Sequence, residues 1–248
     1  MPHEDFVYLG DGARCPYGPR PAEEIQRFAL ELGGHLEHEG VKLIVAACNS
    51  ATAAALPLLQ ERLAVPVVGV LAPEAHAAVQ ATRNRRIGVL ATDATVESNR
   101  YANAIRVLDA GCKVVQVACP TLVPMIEAGG LSTAAMDGAV RAYAAPLCRA
   151  GVDTVILGCT HYPLIRPVFE RVFGRGTTLV FSADETAREV SETLERRRVG
   201  NEQRRTGACR FLTTGHPAEF RALGERFLQL PVEAVEHVEL ETLERAAA

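Results

Sequence analysis

With 248 residues, 48% of them hydrophobic and 23% charged, the chain has a globular composition and the length for one large or two modest domains. Its net charge of −4 gives no general attraction to nucleic acid or anionic lipid, and its opening, MPHEDFVYLG, lacks the apolar core of a signal peptide. The seven cysteines include no CxxC pair, so reduced thiols of a cytoplasmic protein are expected rather than a disulfide framework.

In chain order, short apolar runs predict strands at 5–9, 43–47, 67–70, 87–91, 114–118, 154–157, 178–181, 210–213 and 234–238. Amphipathic stretches separate most of them, such as PAEEIQRFALELGGHLEHEG at 21–40 and STAAMDGAVRAYAAPLCRAG at 132–151. Several of these carry proline near the first turn and glycine near the end, the usual start and stop of a helix. Alternating strands and helices with near-continuous apolar strands predict an α/β fold of parallel sheets covered by helices on both faces. The most apolar stretch, 43–59, is interrupted by Cys48-Asn49-Ser50 and by Pro57. It reads as a buried strand and helix, and no membrane span is expected.

One pattern occurs twice. GVKLIVAACNS at 40–50 and GVDTVILGCTH at 151–161 both begin Gly-Val, run through apolar residues and reach a cysteine eight positions after the glycine. In open parallel sheets, ligands bind beyond the carboxyl ends of the strands. Cys48, followed by Asn49 and Ser50, and Cys159, followed by Thr160 and His161, both stand at such ends. A cysteine ending a buried strand is often only a small apolar residue. The repeat, with hydroxyl and amide neighbours each time, instead suggests two halves that bring two thiols to one cleft.

Two facing thiols could form a disulfide, bind a metal or pass protons. The compartment argues against a disulfide, and Cys159 and His161 alone, two positions apart, make a poor metal-ligand pattern. Proton transfer fits better, because inverting a carbon acid needs a base on one face and an acid on the other. The positive ends of helices starting after Asn49 and Thr160 are expected to lower the thiol pKa values, with His161 assisting Cys159. The lysines, Lys42 and Lys113, each open a predicted strand, which argues against a Schiff-base lysine and pyridoxal phosphate. No cofactor is expected.

VAACNSATAAALP and VILGCTHYPLI closely resemble the two cysteine motifs of bacterial glutamate racemases, within the wider aspartate/glutamate racemase group. VYLGDGARCPYGPRPAEEI resembles that family's substrate loop, IGVLATDATVESNRY and ACPTLVPMIEAG its middle segments, and FSADETA the stretch after the second cysteine motif. The resemblance implies cofactor-independent interconversion of L- and D-glutamate, supplying D-glutamate for peptidoglycan. By similarity, Cys48 takes the α-proton from the D-enantiomer, Cys159 takes it from the L-enantiomer, and His161 supports Cys159. Tyr17, Gly18, Asn49, Ser50, Thr160 and His161 would hold the substrate. The implied fold is two similar α/β domains with the cleft between them, residues 1–72 and 183–248 forming one and 73–182 the other. Homodimers are common in the family. Its members open on a strand ending in an Asp-Ser-Gly turn, and nothing before DFVYLGD matches it. The first sheet is therefore expected to lack one strand and to expose apolar surface and unpaired backbone. Rival readings are a non-catalytic relative that binds an acidic amino acid or a protein, and a racemase or lyase acting on aspartate, a hydantoin or an arylmalonate.

Thr92 and Thr95, after the strand at 87–91, are further candidates for touching substrate, although N-capping of the next helix accounts for at least one equally well. Cys15, Cys112, Cys119, Cys148 and Cys209 read as packing or incidental surface thiols. The basic run RRRVGNEQRR at 196–205 reads as a solvated helix end rather than a nucleic-acid footprint. No P-loop or GxSxG motif is present, and GDG at 10–12 does not extend to GxGxxG.

Overall fold

The computed structural model describes residues 1–202 and 205–246. All nine expected strands form: β1 (Phe6–Gly10), β2 (Ile44–Ala46), β3 (Val67–Gly69), β4 (Arg86–Ala91), β5 (Lys113–Ala118), β6 (Thr154–Gly158), β7 (Thr178–Val180), β8 (Cys209–Thr213) and β9 (Glu236–His237). Every pairing among them is parallel. The intervening helices are α1 (Ala22–His38), α2 (Asn49–Arg62), α3 (Leu71–Ala81), α4 (Asp93–Glu97), α5 (Arg100–Leu108) and α6 (Leu122–Glu127). They continue with α7 (Ala134–Arg149), α8 (Arg166–Phe173), α9 (Ser182–Arg197), α10 (Pro217–Leu228) and α11 (Leu240–Ala246).

Two α/β domains result. One is built on a four-stranded sheet in the order β5-β4-β6-β7. Its period of two sorts the core onto two faces. Ile87, Val89 and Ala91 of β4 and Ile156 of β6 pack against Ala75 and Ala78 of α3 and Tyr101 and Ile105 of α5. Leu90, Val155 and Leu157 point the other way, toward Leu122, Ile126, Val140, Leu147 and Phe169 of α6, α7 and α8. Ile87, Leu90 and Ile156 are fully buried, each contributing roughly 1.5–3 kcal/mol by transfer from water.

The remaining strands come from both ends of the chain. β1 pairs with β8, and β8 with β9, while β2 pairs with β3 in a separate two-stranded sheet. Among the described residues no ladder joins β1 to β2. Phe6 and Tyr8 on β1 are 46% and 52% exposed, and Val45 on β2 is 38% exposed. α1 carries Glu23 and Glu24 in its first turn and His35 and His38 in its last, matching the helix dipole. Its Ala29 packs with Ile44, Ala55, Leu59 and Val67 of β2, α2 and β3. Val190 and Leu194 of α9 cover Val68.

The chain after Cys159 departs from expectation. No α-helix starts at Thr160; a 3-10 turn runs from Tyr162 to Ile165 and α8 begins only at Arg166. Pro163 and Pro167 explain the break, since neither offers an N–H for helical hydrogen bonding, and Pro167 stands in the first turn of α8, where the missing N–H costs nothing. In the basic run, Arg196 and Arg197 close α9 and Arg205 pairs with Asp5 at 2.5 Å. Gln203 and Arg204 lie outside the described residues.

Candidate active site

Cys48 leaves β2 with extended backbone and is the N-cap residue of α2. Its sulfur therefore sits over the first-turn amides of Ser50 and Ala51 and beside the Ser50 hydroxyl, all three favouring the thiolate. Burial nevertheless prevails and pushes the Cys48 thiol up. Cys159 follows β6 and is buried, whereas Cys48 is half-buried. Burial pushes its thiol up to about 12, opposed by a hydrogen bond from the His161 backbone amide. The expected lowering by helix ends is thus corrected: α2 acts on Cys48 but loses to burial, and the 3-10 turn gives Cys159 no α-helix N-terminus. Asn49, beside Cys48, donates to the Tyr101 hydroxyl at 2.8 Å, and Tyr101 packs on Gly158, beside Cys159.

His161 reaches back so that its Nδ1 lies 3.8 Å from Cys159 Sγ. Its Nε2 is 3.1 Å from Glu127 Oε1 at the end of α6, and the edge of Phe227 from α10 fixes the ring at 5.6 Å. Burial lowers the His161 pKa, and Glu127 opposes this. A carboxylate can only accept, so neutral His161 donates from Nε2 to Glu127 and turns the Nδ1 lone pair toward the thiol. Thr160 Oγ1 is 3.5 Å from the same nitrogen.

The remaining candidates line the other walls. Ser50 Oγ is 2.8 Å from Thr92 Oγ1, which is 3.1 Å from Thr95 Oγ1. Thr92 occupies the N-cap position of α4, but its side chain makes no capping bond; the hydroxyl is used instead on Ser50 of α2. Gly18 lies against Thr92: a Cβ there would be 3.1 Å from Thr92 Cβ. The Gly18 carbonyl accepts from the Ala94 amide at 3.0 Å. Tyr17 turns its hydroxyl to Asp11, which also accepts from Thr214 and Arg14. Asn49 is buried, and its Nδ2 donates to Glu74 Oε2 at 3.1 Å and to the Tyr101 hydroxyl at 2.8 Å. Its Oδ1 is buried without a partner.

Sequence reasoning did not single out Glu127, Glu74 or Tyr101. Glu127 stands in the quoted segment ACPTLVPMIEAG, where one acid ending an apolar turn gave no spacing to read. Cys15, read as incidental, lies with its sulfur 4.0 Å from Glu127 Oε1. Cys119 is buried against the Val117 carbonyl and remains a packing residue. Among the described residues all cysteines are unbonded, no cluster of three or more His, Cys, Asp or Glu could hold a metal, and no helix is long and apolar enough to cross a membrane. An open groove of about 980 Å³ between α2, α3 and α9 is lined by residues such as Gln60, His76 and Arg188 and includes neither thiol.

Residues 1–190 match the Asp/Glu/hydantoin racemase family. A glutamate racemase of Listeria monocytogenes is 43% identical over 240 residues, covering 97% of this chain and 90% of the relative. The crystal structure of a glutamate racemase isoform from Bacillus anthracis superposes with a TM-score of 0.92 at 40% identity, covering 96% of this chain and 89% of that one. That of a Francisella tularensis glutamate racemase in complex with D-glutamate gives 0.90 at 32% identity, with 97% and 90% covered.

Proposed function

The chain belongs to the Asp/Glu/hydantoin racemase family and is an amino-acid racemase; from that premise we propose that it interconverts L- and D-glutamate by two-base proton transfer between Cys48 and Cys159, without a cofactor. One observation carries this reading: the two thiols end different strands, yet their neighbours meet, Asn49 beside Cys48 bonding Tyr101 at 2.8 Å and Tyr101 packing on Gly158 beside Cys159. The domains are taken as 1–72 with 183–248, and 73–182. In the D-to-L direction, the Cys48 thiolate takes the α-proton, the carbanion's electrons spread into the α-carboxylate, and the Cys159 thiol delivers its proton to the opposite face. The reverse reaction exchanges the roles. The thiols would titrate as a pair, so neither owns a single pKa.

Burial favours the protonated form of both thiols in the free protein, and a substrate ammonium between them favours one thiolate, the proton shed by Cys48 passing to solvent as substrate binds. A desolvated thiolate of raised pKa is also a stronger base toward a weakly acidic carbon. His161, neutral and oriented by Glu127, accepts the Cys159 proton as that thiol becomes the base for L-glutamate. Asn49 Oδ1, buried and unpartnered, would accept from the ammonium. The Ser50–Thr92 pair, the Tyr17-Gly18 loop and Thr160 would hold the carboxylates. Free thiols suit work in the cytoplasm, where D-glutamate would be supplied for peptidoglycan.

Cys48→Ser and Cys159→Ser test the reading. Polarimetry should show racemisation in both directions falling by at least about 10³-fold in each variant, since general acid–base groups contribute about 10²–10⁴-fold. Wild-type rates in either variant would remove that thiol from the mechanism.

A further inference from the structure

Behind the two thiols lies a buried carboxyl that the proton-transfer scheme does not use. Glu74, in the first turn of α3, is fully buried. Its Oε2 accepts from the Tyr101 hydroxyl and from Asn49 Nδ2, and Asn49 Nδ2 also reaches the Tyr101 oxygen. Ser182, the first residue of α9, lies beside the same carboxyl. The four groups come from four helices. Asn49 follows Cys48, and Tyr101 stands against Gly158, the residue before Cys159, so closely that a Cβ there would be 2.9 Å from the tyrosine ring. Glu74 and Ser182 flank the two crossings between the domains proposed above.

We propose that Glu74 is a positioning residue for the racemase site: it fixes the Asn49 amide so that Oδ1 is left for the substrate ammonium, and it holds the two cysteine-bearing strand ends at one spacing. This rests on the two-thiol reading given above. The chemistry leaves Asn49 one orientation. Tyr101 has a single proton, spent on Glu74, so toward Asn49 its oxygen can only accept. Glu74 Oε2 accepts as well. Both partners therefore require the NH₂ end of the amide, and Oδ1 is left unpartnered. A buried unpaired acceptor is costly in the free protein, and that cost is recovered when a substrate donor arrives.

Burial raises the carboxyl to about 8 against the hydrogen bonds from Tyr101, Asn49 and Ser182. The titratable groups around it are Tyr101 on α5 and Cys159 after β6. α2 and α9 present Asn49 and Ser182, and β7 consists of Thr178, Leu179 and Val180. Ionisation of Glu74 would put a negative charge next to Cys159 and should add a falling limb near pH 8 to the activity profile.

The test measures kcat and KM for L-glutamate from pH 6 to 9.5 in the wild type, Glu74→Met, Glu74→Gln and Tyr101→Phe, with thermal midpoints alongside and Cys48→Ser and Cys159→Ser in parallel. Glu74→Met removes the acceptor and should raise KM about tenfold, the scale of one lost hydrogen bond to a charged group. Glu74→Gln keeps a carbonyl acceptor that cannot ionise. It should restore most of what Glu74→Met loses and lack the falling limb near pH 8. Tyr101→Phe should raise KM in the same direction, and it decides the matter if Glu74→Met does not fold. Wild-type KM in both Glu74→Met and Tyr101→Phe, or identical pH profiles for wild type and Glu74→Gln, would overturn the proposal. Wild-type rates in the serine variants would instead sink the two-thiol reading and leave the KM effect at Glu74 to be judged by itself.

Discussion

Gly158 is where the fold and the site meet most tightly, and replacing it with alanine tests the contact between them. A Cβ at Gly158 would stand 2.9 Å from Tyr101 Cε2, 3.1 Å from its hydroxyl oxygen and 3.3 Å from Ala91 Cβ. Tyr101 is fully buried, and its hydroxyl is held by Glu74 and Asn49, so the ring has no empty space to enter. Overpacking a close-packed core costs about 1–3 kcal/mol, and a disturbed bond to a buried carboxyl adds about 1–3 kcal/mol. About 3 kcal/mol in total corresponds to a fall of roughly 6–12 °C in Tm for a chain of this length. The chain has no tryptophan, so far-UV circular dichroism is the assay of choice. Tyr101→Phe gives up the hydroxyl and its bonds, and Gly158→Ala should cost less in that background than in the wild type because the two sites are coupled. A Gly158→Ala protein melting within about 1 °C of the wild type, a shift too small for an overpacked core, would refute the packing argument.

Glu127→Gln should lower racemisation about tenfold, at the low end of what an oriented acid–base partner contributes. Glu127 opposes the burial that lowers the His161 pKa, so its loss should move the acid limb of kcat/KM to lower pH. An unmoved limb would show that His161 does not titrate in the reaction. Stability should also depend on pH through Glu74. Its pKa rises from an ordinary 4.5 to about 8 in the fold, so the folded protein binds the proton more tightly than the unfolded chain. That contribution is fully present below about pH 4.5 and is lost as pH rises through 8; at about 1.4 kcal/mol per pH unit it reaches up to about 5 kcal/mol. Midpoints of unfolding at pH 5.5 and 8.5 should therefore differ less in Glu74→Gln than in the wild type, and an equal difference would contradict the assignment.

The strands were legible because runs such as LIVAA and RIGVLA are continuous and apolar; β4 is indeed buried on both faces, whereas β2 leaves Val45 exposed. The repeated Gly-Val-to-cysteine pattern located both thiols for the same reason: it records two strand ends, and strand ends are where such sheets open to a ligand. The helix after Thr160 was misjudged because Pro163 and Pro167 lie within five residues of each other and divert the chain into a 3-10 turn. Thr92 remained ambiguous in the sequence because an N-cap threonine and a hydroxyl reaching across a cleft are written alike; the bond to Ser50 separates them. Glu74 and Tyr101 left no trace. Their partners are 25 to 52 residues away, and no local period connects them. The thiol pKa values failed for a related reason: a helix N-terminus is visible in a sequence, whereas the burial that outweighs it belongs to the assembled cleft.

The most direct test of two-base transfer is proton NMR of L-glutamate, and separately D-glutamate, incubated in D₂O with the purified protein and no added cofactor. Two thiols equilibrated with D₂O should place a deuteron in the product enantiomer on the first turnover from either side, while early recovered substrate keeps its α-proton. Product that carries the original α-proton would mean a single base moving from face to face, and would contradict the assignment of Cys48 and Cys159 to opposite faces of one carbon.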